Sequence, residues 1–154
     1  MRPEETVDYH IKSSWHSISR MYNQLASSYN LTQAAAFMLL SIDPEHGTNA
    51  TQIGPLMGME ATGMSRLLNN LEKEGLIHRE KDDDDGRKVK ICLTGEGVEK
   101  RKMARRVVKR FNQRILDEIG EEDFAVFKDI MQKVQHVVEE YKNYPLKNYH
   151  EKDQ

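Results

Sequence analysis

Met64-Ser65-Arg66-Leu67-Leu68-Asn69-Asn70-Leu71-Glu72-Lys73-Glu74-Gly75-Leu76-Ile77 is the stretch on which the fold turns. As part of a helix over Ala61–Glu74, it sets Met64, Leu67, Leu68 and Leu71 on one stripe at steps of three and four. The opposite face carries Thr62, Ser65, Arg66, Asn69 and Lys73, and no carboxylate precedes Glu72 and Glu74 at its far end. A solvated helix face normally mixes both signs. Hydrogen-bonding groups on such a face suit base edges and phosphates in a major groove wide enough for a helix. Gly75 is placed to end the helix in the left-handed conformation.

Upstream, Ile53, Leu56 and Met57 mark a short helix that Asn49 and Gln52 can open as a capping box. Pro55 removes a backbone donor early in it, so a kink or tight first turn is expected. Gly58-Met59-Glu60 is the break between this helix and the next. Downstream, Leu76–Lys81 and Arg87–Thr94 read as strands, with Val89, Ile91 and Leu93 alternating against Lys88, Lys90 and Cys92. Asp82-Asp83-Asp84-Asp85-Gly86 forms the hairpin tip. Two short helices, a tight turn and a two-stranded hairpin make a winged helix-turn-helix.

Longer helices flank this lobe. Val7, Ile11, Trp15, Ile18, Tyr22, Leu25 and Tyr29 define an amphipathic helix that Asn30 ends. Thr32 caps a second one, Gln33–Ser41, apolar nearly all round and so expected to be buried. Thr94 caps a long helix that Gly120 breaks, and a last helix runs to the region of Pro145. The fold class is therefore mainly α with a small β-hairpin wing.

From Asn49 to Gly97 the chain resembles the MarR family of bacterial transcriptional regulators. The resemblance rests on the recognition-helix stretch quoted above, then Arg79, Asp85-Gly86-Arg87 (the family's Asp-x-Arg wing motif) and Leu93-Thr94-x-x-Gly97. The flanking helices fit as well. The resemblance implies one domain over residues 1–154 with a winged helix-turn-helix lobe at 32–97. It further implies dimerisation helices at 5–29 and 95–143; the tail at 144–154, past the stop at Pro145, is expected to fray as termini do. The partners it implies are double-stranded DNA and a second copy of the chain. The candidate DNA-binding residues are Thr62, Ser65, Arg66, Asn69, Lys73, Arg87 and Lys88, with Arg87 reaching the minor groove. Asp85 would orient the wing through an ion pair, for which Arg66 is one candidate partner. Read without the resemblance, Arg87 is an ordinary hairpin-tip arginine.

The family commonly binds small aromatic or phenolic effectors between the dimerisation helices and the DNA-binding lobe. By position, Trp15, His16, Phe37 and Met38 are the candidates, although Trp15 on the apolar stripe also reads as core or interface packing. The function implied is a dimeric regulator, commonly a repressor, on a pseudo-palindromic operator, released by an effector. The alternative is a winged-helix protein-interaction module without specific DNA binding.

Charge supports the DNA reading. The chain has 154 residues and a net charge of -2. Residues 61–114 hold 15 Lys and Arg against nine Asp and Glu, whereas 1–60 hold three against six and 115–154 five against ten. A basic lobe thus lies between acidic segments, which suits specific binding better than indiscriminate coating. Lys100, Arg101, Lys102, Arg105, Arg106, Lys109, Arg110 and Arg114 form a basic tract, of which the first few are expected to help DNA and the rest to be structural. The aspartate run at the tip is expected to face water, offset by Arg79, Lys81, Arg87, Lys88 and Lys90.

Other function classes find little footing. There is no Gly-rich phosphate loop, nucleophile motif or acid–base cluster, so an enzyme is not expected. A single cysteine rules out an internal disulfide and a Cys-based multi-ligand metal site. None of the six histidines is spaced three or four from another, so no metal or cofactor is expected. Cys92 reads as an incidental thiol. No apolar run approaches the ~18–20 residues of a membrane span, and no secretory signal precedes the first helix. A cytoplasmic protein is the expectation.

Overall fold

In the computed structural model, residues 2–82 and 87–142 are described. After a 3-10 turn at Pro3–Glu5 come α1 (Val7–Ser27), α2 (Gln33–Leu40), β1 (Thr48–Asn49), α3 (Ala50–Met57), α4 (Ala61–Lys73), β2 (Ile77–Lys81), β3 (Val89–Leu93) and α5 (Gly95–Lys142). The mainly α winged-helix class is as the sequence implies. The chain divides into two compact units, Met1–Lys109 and Arg110–Gln154, with the division inside α5.

The first unit holds the core. Met38, Leu39, Ile42, Ile53, Leu71, Ile77 and Ile91 are essentially inaccessible to solvent, drawn from α2, α3, α4 and the sheet. The apolar α2 is buried as its composition requires, and Thr32 caps it by accepting a bond from Ala35 N at 3.1 Å. Helix α1 stops at Ser27, two residues before the last apolar position of its stripe. Asn30 takes φ +54°, a left-handed turn that its short polar side chain tolerates, and Leu31 N returns to Ala26 O at 3.0 Å.

The sheet has three strands in the order β1-β3-β2, all antiparallel. Strand β1 is not visible in the sequence, because two residues carry no periodicity. Its pairing, Thr48 with Ile91 and Asn49 with Lys90, changes the start of α3. Asn49 occupies the cap position of that helix, but its side chain makes no capping bond. The expected capping box with Gln52 is therefore absent. Asn49 is held by its strand partner, and its Oδ1 is buried with no hydrogen-bond partner among the described residues. Pro55 lies inside α3, which continues to Met57 and ends where Gly58 turns left-handed at φ +59°.

The second unit is helical on either side of Gly120, whose φ of 78° and ψ of 166° break α5 as expected. That backbone region is open essentially only to glycine. Phe124 and Phe127 stack at 6.4 Å, with Lys128 Nζ 5.1 Å from the Phe124 ring. Much of this unit's apolar surface is open: Val126, Phe127, Ile130, Val137, Val138 and Tyr141 are all exposed. In the first unit Val7, Tyr9, Ile11 and Trp15 of α1 are exposed too. The tail and the Pro145 stop lie outside the described residues.

Candidate nucleic-acid interface

The candidate recognition face is built by α4 and the two junctions that hold it. Met64, Leu68 and Leu71 are buried and Leu67 is half-buried, which fixes the rotation of the helix. Thr62, Ser65, Arg66, Asn69 and Lys73 are all exposed on the other side. Glu74 caps the C-terminus and Gly75 follows at φ +70°. Gly75 N bonds Glu72 O at 3.0 Å and Leu76 N bonds Leu71 O at 2.9 Å. This pair of bonds is the Schellman motif, and buried Leu76 and Leu71 complete it.

Arg79 on β2 reaches the far end of α4. Its Nη2 donates to Asn69 Oδ1 at 2.8 Å and its Nη1 pairs with the Glu72 carboxylate. The clamp has two effects. It neutralises the first carboxylate on a helix whose outer face is otherwise free of acid up to that point. It also occupies the amide oxygen of Asn69, because a guanidinium can only donate, and leaves the amide N–H groups as that side chain's remaining donors.

The wing is the β2–β3 hairpin in the register Ile77–Leu93, His78–Cys92, Arg79–Ile91, Glu80–Lys90 and Lys81–Val89. Asp82 N closes it on Lys88 O at 3.1 Å. Ile91 is fully buried and Leu93 half-buried, whereas Val89, on the same alternation, is exposed near the tip. Arg87 and Lys88 are exposed at the end of the hairpin. Asp85, its suggested pairing with Arg66, and the tip from Asp83 to Gly86 lie outside the described residues.

The wing's base is locked to α5 at Thr94 and Gly97. Thr94 N bonds Leu76 O at 3.1 Å, Thr94 Oγ1 donates to Gly75 O at 2.6 Å, and Gly97 N donates to Thr94 Oγ1 at 3.1 Å. Gly97 is buried, and a Cβ there would fall inside the contact radius of the Leu76 carbonyl oxygen.

The basic tract divides differently from the sequence-based expectation. Its first residues are structural: Lys100 Nζ donates to Tyr29 O at 2.6 Å, and Arg101 Nε to Ile42 O at 3.1 Å. These cations sit where α1 and α2 leave carbonyls without helical partners. Lys102 pairs with Glu99 at 2.7 Å and Arg114 with Glu118 at 3.0 Å. Arg105, Arg106, Lys109 and Arg110 are exposed.

Two concavities lie in the first unit. One, of ≈ 30 Å³, is apolar and lined by Tyr22, Leu25, Tyr29, Phe37, Lys100, Met103 and Val107 among others. Tyr22 and Phe37 meet edge to face there at 5.9 Å. The other is a groove of ≈ 450 Å³ lined by Trp15, Ser19, Gln33, Ala34, Phe37, Ser41, Leu56, Met57 and Met59. Of the four candidate effector residues, Phe37 touches both and Trp15 the larger. Trp15 is 51 % exposed, so it is not core. Met38 is wholly buried and lines neither, and His16 is exposed and lines neither.

Comparison with known proteins bears on this geometry. Residues 31–89 match the sequence profile of the MarR family. The HTH-type transcriptional regulator SarZ of Staphylococcus epidermidis is 24% identical over 132 residues, covering 86% of this chain and 81% of the relative. The HTH-type transcriptional regulator TtmR of Methylorubrum extorquens is 32% identical over 82 residues, covering 53% and 42%. The fold is shared with the crystal structure of the S. aureus MepR–DNA complex (TM-score 0.76, 22% identity, 86% of this chain and 98% of that one). It is shared too with the PcaV transcriptional regulator of Streptomyces coelicolor in complex with its natural ligand (TM-score 0.71, 20% identity, 90% and 97%). Among the described residues no helix is long and apolar enough to cross a membrane. Residues 31–89 thus resemble the MarR family, most of the chain is similar to an HTH-type transcriptional regulator, and the fold is shared with winged-helix transcriptional regulators of solved structure.

Proposed function

We propose that this chain is a cytoplasmic, homodimeric repressor that reads a pseudo-palindromic operator and is released by a small aromatic or phenolic effector. One observation carries the DNA-reading part. The exposed face of α4 presents Thr62, Ser65, Arg66, Asn69 and Lys73 with no acid among them, and Arg79 neutralises Glu72 at its far end. Thr62, Ser65, Arg66 and Asn69 meet base edges and Lys73 a phosphate. Arg87 enters the adjacent minor groove, Lys88 contacts the backbone, and Asp85 orients the wing. The DNA-reading lobe is 32–97.

Dimerisation falls to the helices at 5–29 and 95–143. Their exposed Val7, Ile11, Val126, Phe127, Ile130 and Val138 are more apolar surface than isolated helices leave in water. Two copies would set half-sites about one helical turn, ~10 bp, apart. The effector site is the groove under Trp15 and Phe37, whose aromatic and methionine walls suit a flat apolar ligand. Trp15 and Phe37 line this groove, whereas His16 is exposed and Met38 buried, and neither lines it.

The test is binding of the purified protein to DNA from its own promoter region, titrated against salt. Arg66→Ala and Arg87→Ala are each expected to weaken binding and relax sequence preference, whereas Lys73→Ala, which removes a phosphate contact, is expected to lower the salt exponent by about one. If Arg66→Ala and Arg87→Ala both bind as tightly as the parent, this mode of recognition is wrong. Repression is checked by transcription from that promoter with and without the protein.

A further inference from the structure

The antiparallel register of the wing brings together three side chains drawn from both of its strands. His78 and Cys92 are direct cross-strand partners, and Glu80 lies two residues along β2 on the same face. That face is opposite the one on which Ile77 and Ile91 enter the core. His78 Nε2 is 2.7 Å from Glu80 Oε1, and Cys92 Sγ is 3.6 Å from Glu80 Oε2. One imidazole nitrogen, one carboxylate oxygen and the thiol sulfur all fall within 4.8 Å of one another. His78 and Glu80 are exposed and Cys92 half-buried, so an ion in solution has access.

We propose that His78, Glu80 and Cys92 form a binding site for a Zn²⁺-class divalent ion on the outer face of the wing sheet. Nitrogen, oxygen and sulfur donors together favour a borderline-soft ion over magnesium or calcium, which take oxygen sets. Tetrahedral zinc, with bonds of about 2.0–2.3 Å, holds its donor atoms roughly 3.3–3.8 Å apart. The observed separations need only rotamer adjustment to meet that. On binding, the Cys92 thiol gives its proton to solvent and coordinates as thiolate. The neutral His78 ring gives up its Nε2–H bond to Glu80 and takes the tautomer protonated at Nδ1, which frees the Nε2 lone pair for the metal, and Glu80 supplies one oxygen. Water fills the fourth position.

The surroundings define the site's walls. A Cβ on Gly47, at φ +69°, would stand 2.6 Å from Cys92 Sγ and 2.8 Å from Ile91 O. Glycine at that position lets the 43–47 turn close over the sulfur from the β1 side without displacing it. Lys90, opposite Glu80, flanks the site and is an unfavourable neighbour on the sheet face. A metal here would join β2 to β3 across the base of the wing.

The experiment uses the full chain, stripped with a chelator under reducing conditions and titrated with Co²⁺ alone, followed by Zn²⁺ competition. One Co²⁺ per chain is expected, with a thiolate-to-metal charge-transfer band and tetrahedral d–d bands, all removed by Zn²⁺. Cys92→Ser should abolish the charge-transfer band. His78→Ala and Glu80→Gln, both at exposed positions that leave the fold intact, should each weaken binding about tenfold or more. Failure to bind Co²⁺ overturns the proposal. So does binding without the thiolate band, or binding that His78→Ala leaves unchanged.

Discussion

Gly97 offers a sharp test of how the lobe is joined to α5. In Gly97→Ala the new methyl meets the Leu76 carbonyl oxygen inside contact distance, lies 3.0 Å from the Leu76 carbonyl carbon, and lies 3.4 Å from Leu93 Cδ2. The obstruction is backbone, so no rotamer change relieves it. The start of α5 must move away from the α4–β2 junction, and the Thr94 N to Leu76 O bond stretches or breaks. Overpacking of this kind costs about 1–3 kcal/mol, and the broken bond about 1 kcal/mol. The better helix propensity of alanine offsets about 1 kcal/mol. The net is a loss of roughly 1–3 kcal/mol, which at a urea m-value of about 2 kcal/mol/M lowers the midpoint by about 0.5–1.5 M. Gly95→Ala is the control, because a Cβ there meets nothing within 4 Å. It should keep or slightly raise the midpoint. Urea unfolding followed by circular dichroism, at one fixed protein concentration, compares the two. A Gly97→Ala midpoint equal to or above that of Gly95→Ala refutes the reasoning.

Two further outcomes follow from specific contacts. Arg79→Met should cost about 1–1.5 kcal/mol, since the ion pair is partly exposed and worth under about 1 kcal/mol and the Asn69 bond adds about as much again. It should also weaken operator binding by freeing Asn69. Arg79→Lys should not restore either, because two guanidinium nitrogens serve two acceptors; urea melts and DNA titrations read both. The Asp43 carboxyl is held below its ordinary pKa by the backbone N–H of His46 first and of Glu45 second. A depressed folded pKa gives stability that is present above the unfolded value of ~3.9 and lost as pH falls through the folded one. The stability gap between the parent and Asp43→Asn should therefore close as pH drops below ~4; a gap constant with pH in urea melts would exclude this.

What the sequence discloses is what lies within one turn or one alternation. The two faces of α4, the Gly75 terminator, the Gly120 break and the buried α2 follow from local pattern, and the structure has each in place. What it conceals depends on pairing between distant segments. Strand β1 exists only because β3 lies beside it, and Asn49 loses its capping role for the same reason. Lys100 and Arg101 look like solvent-facing cations until α5 is laid against the ends of α1 and α2. Histidine spacing along a helix does not disclose the His78–Glu80–Cys92 cluster, because hairpin register sets its members. Once Ile77 is paired with Leu93, the His78–Cys92 pair follows by counting. The position of Met38 on α2 suggests a ligand groove, but the side chain is core, and a helix apolar all round carries no polar face to separate the two.

The bonds from Lys100 to Tyr29 O and from Arg101 to Ile42 O also bear on which parts of the lobe open together. Helix ends ordinarily fray first, and their amides exchange with solvent through local openings of low free energy. Here the carbonyls just past α1 and α2 are held by side chains of a third helix, distant in sequence. Fraying of either end must first release a charged donor on α5. Amide protection in the last turns of α1 and α2 should therefore track that of the first turns of α5, and the three segments should exchange as a single cooperative unit.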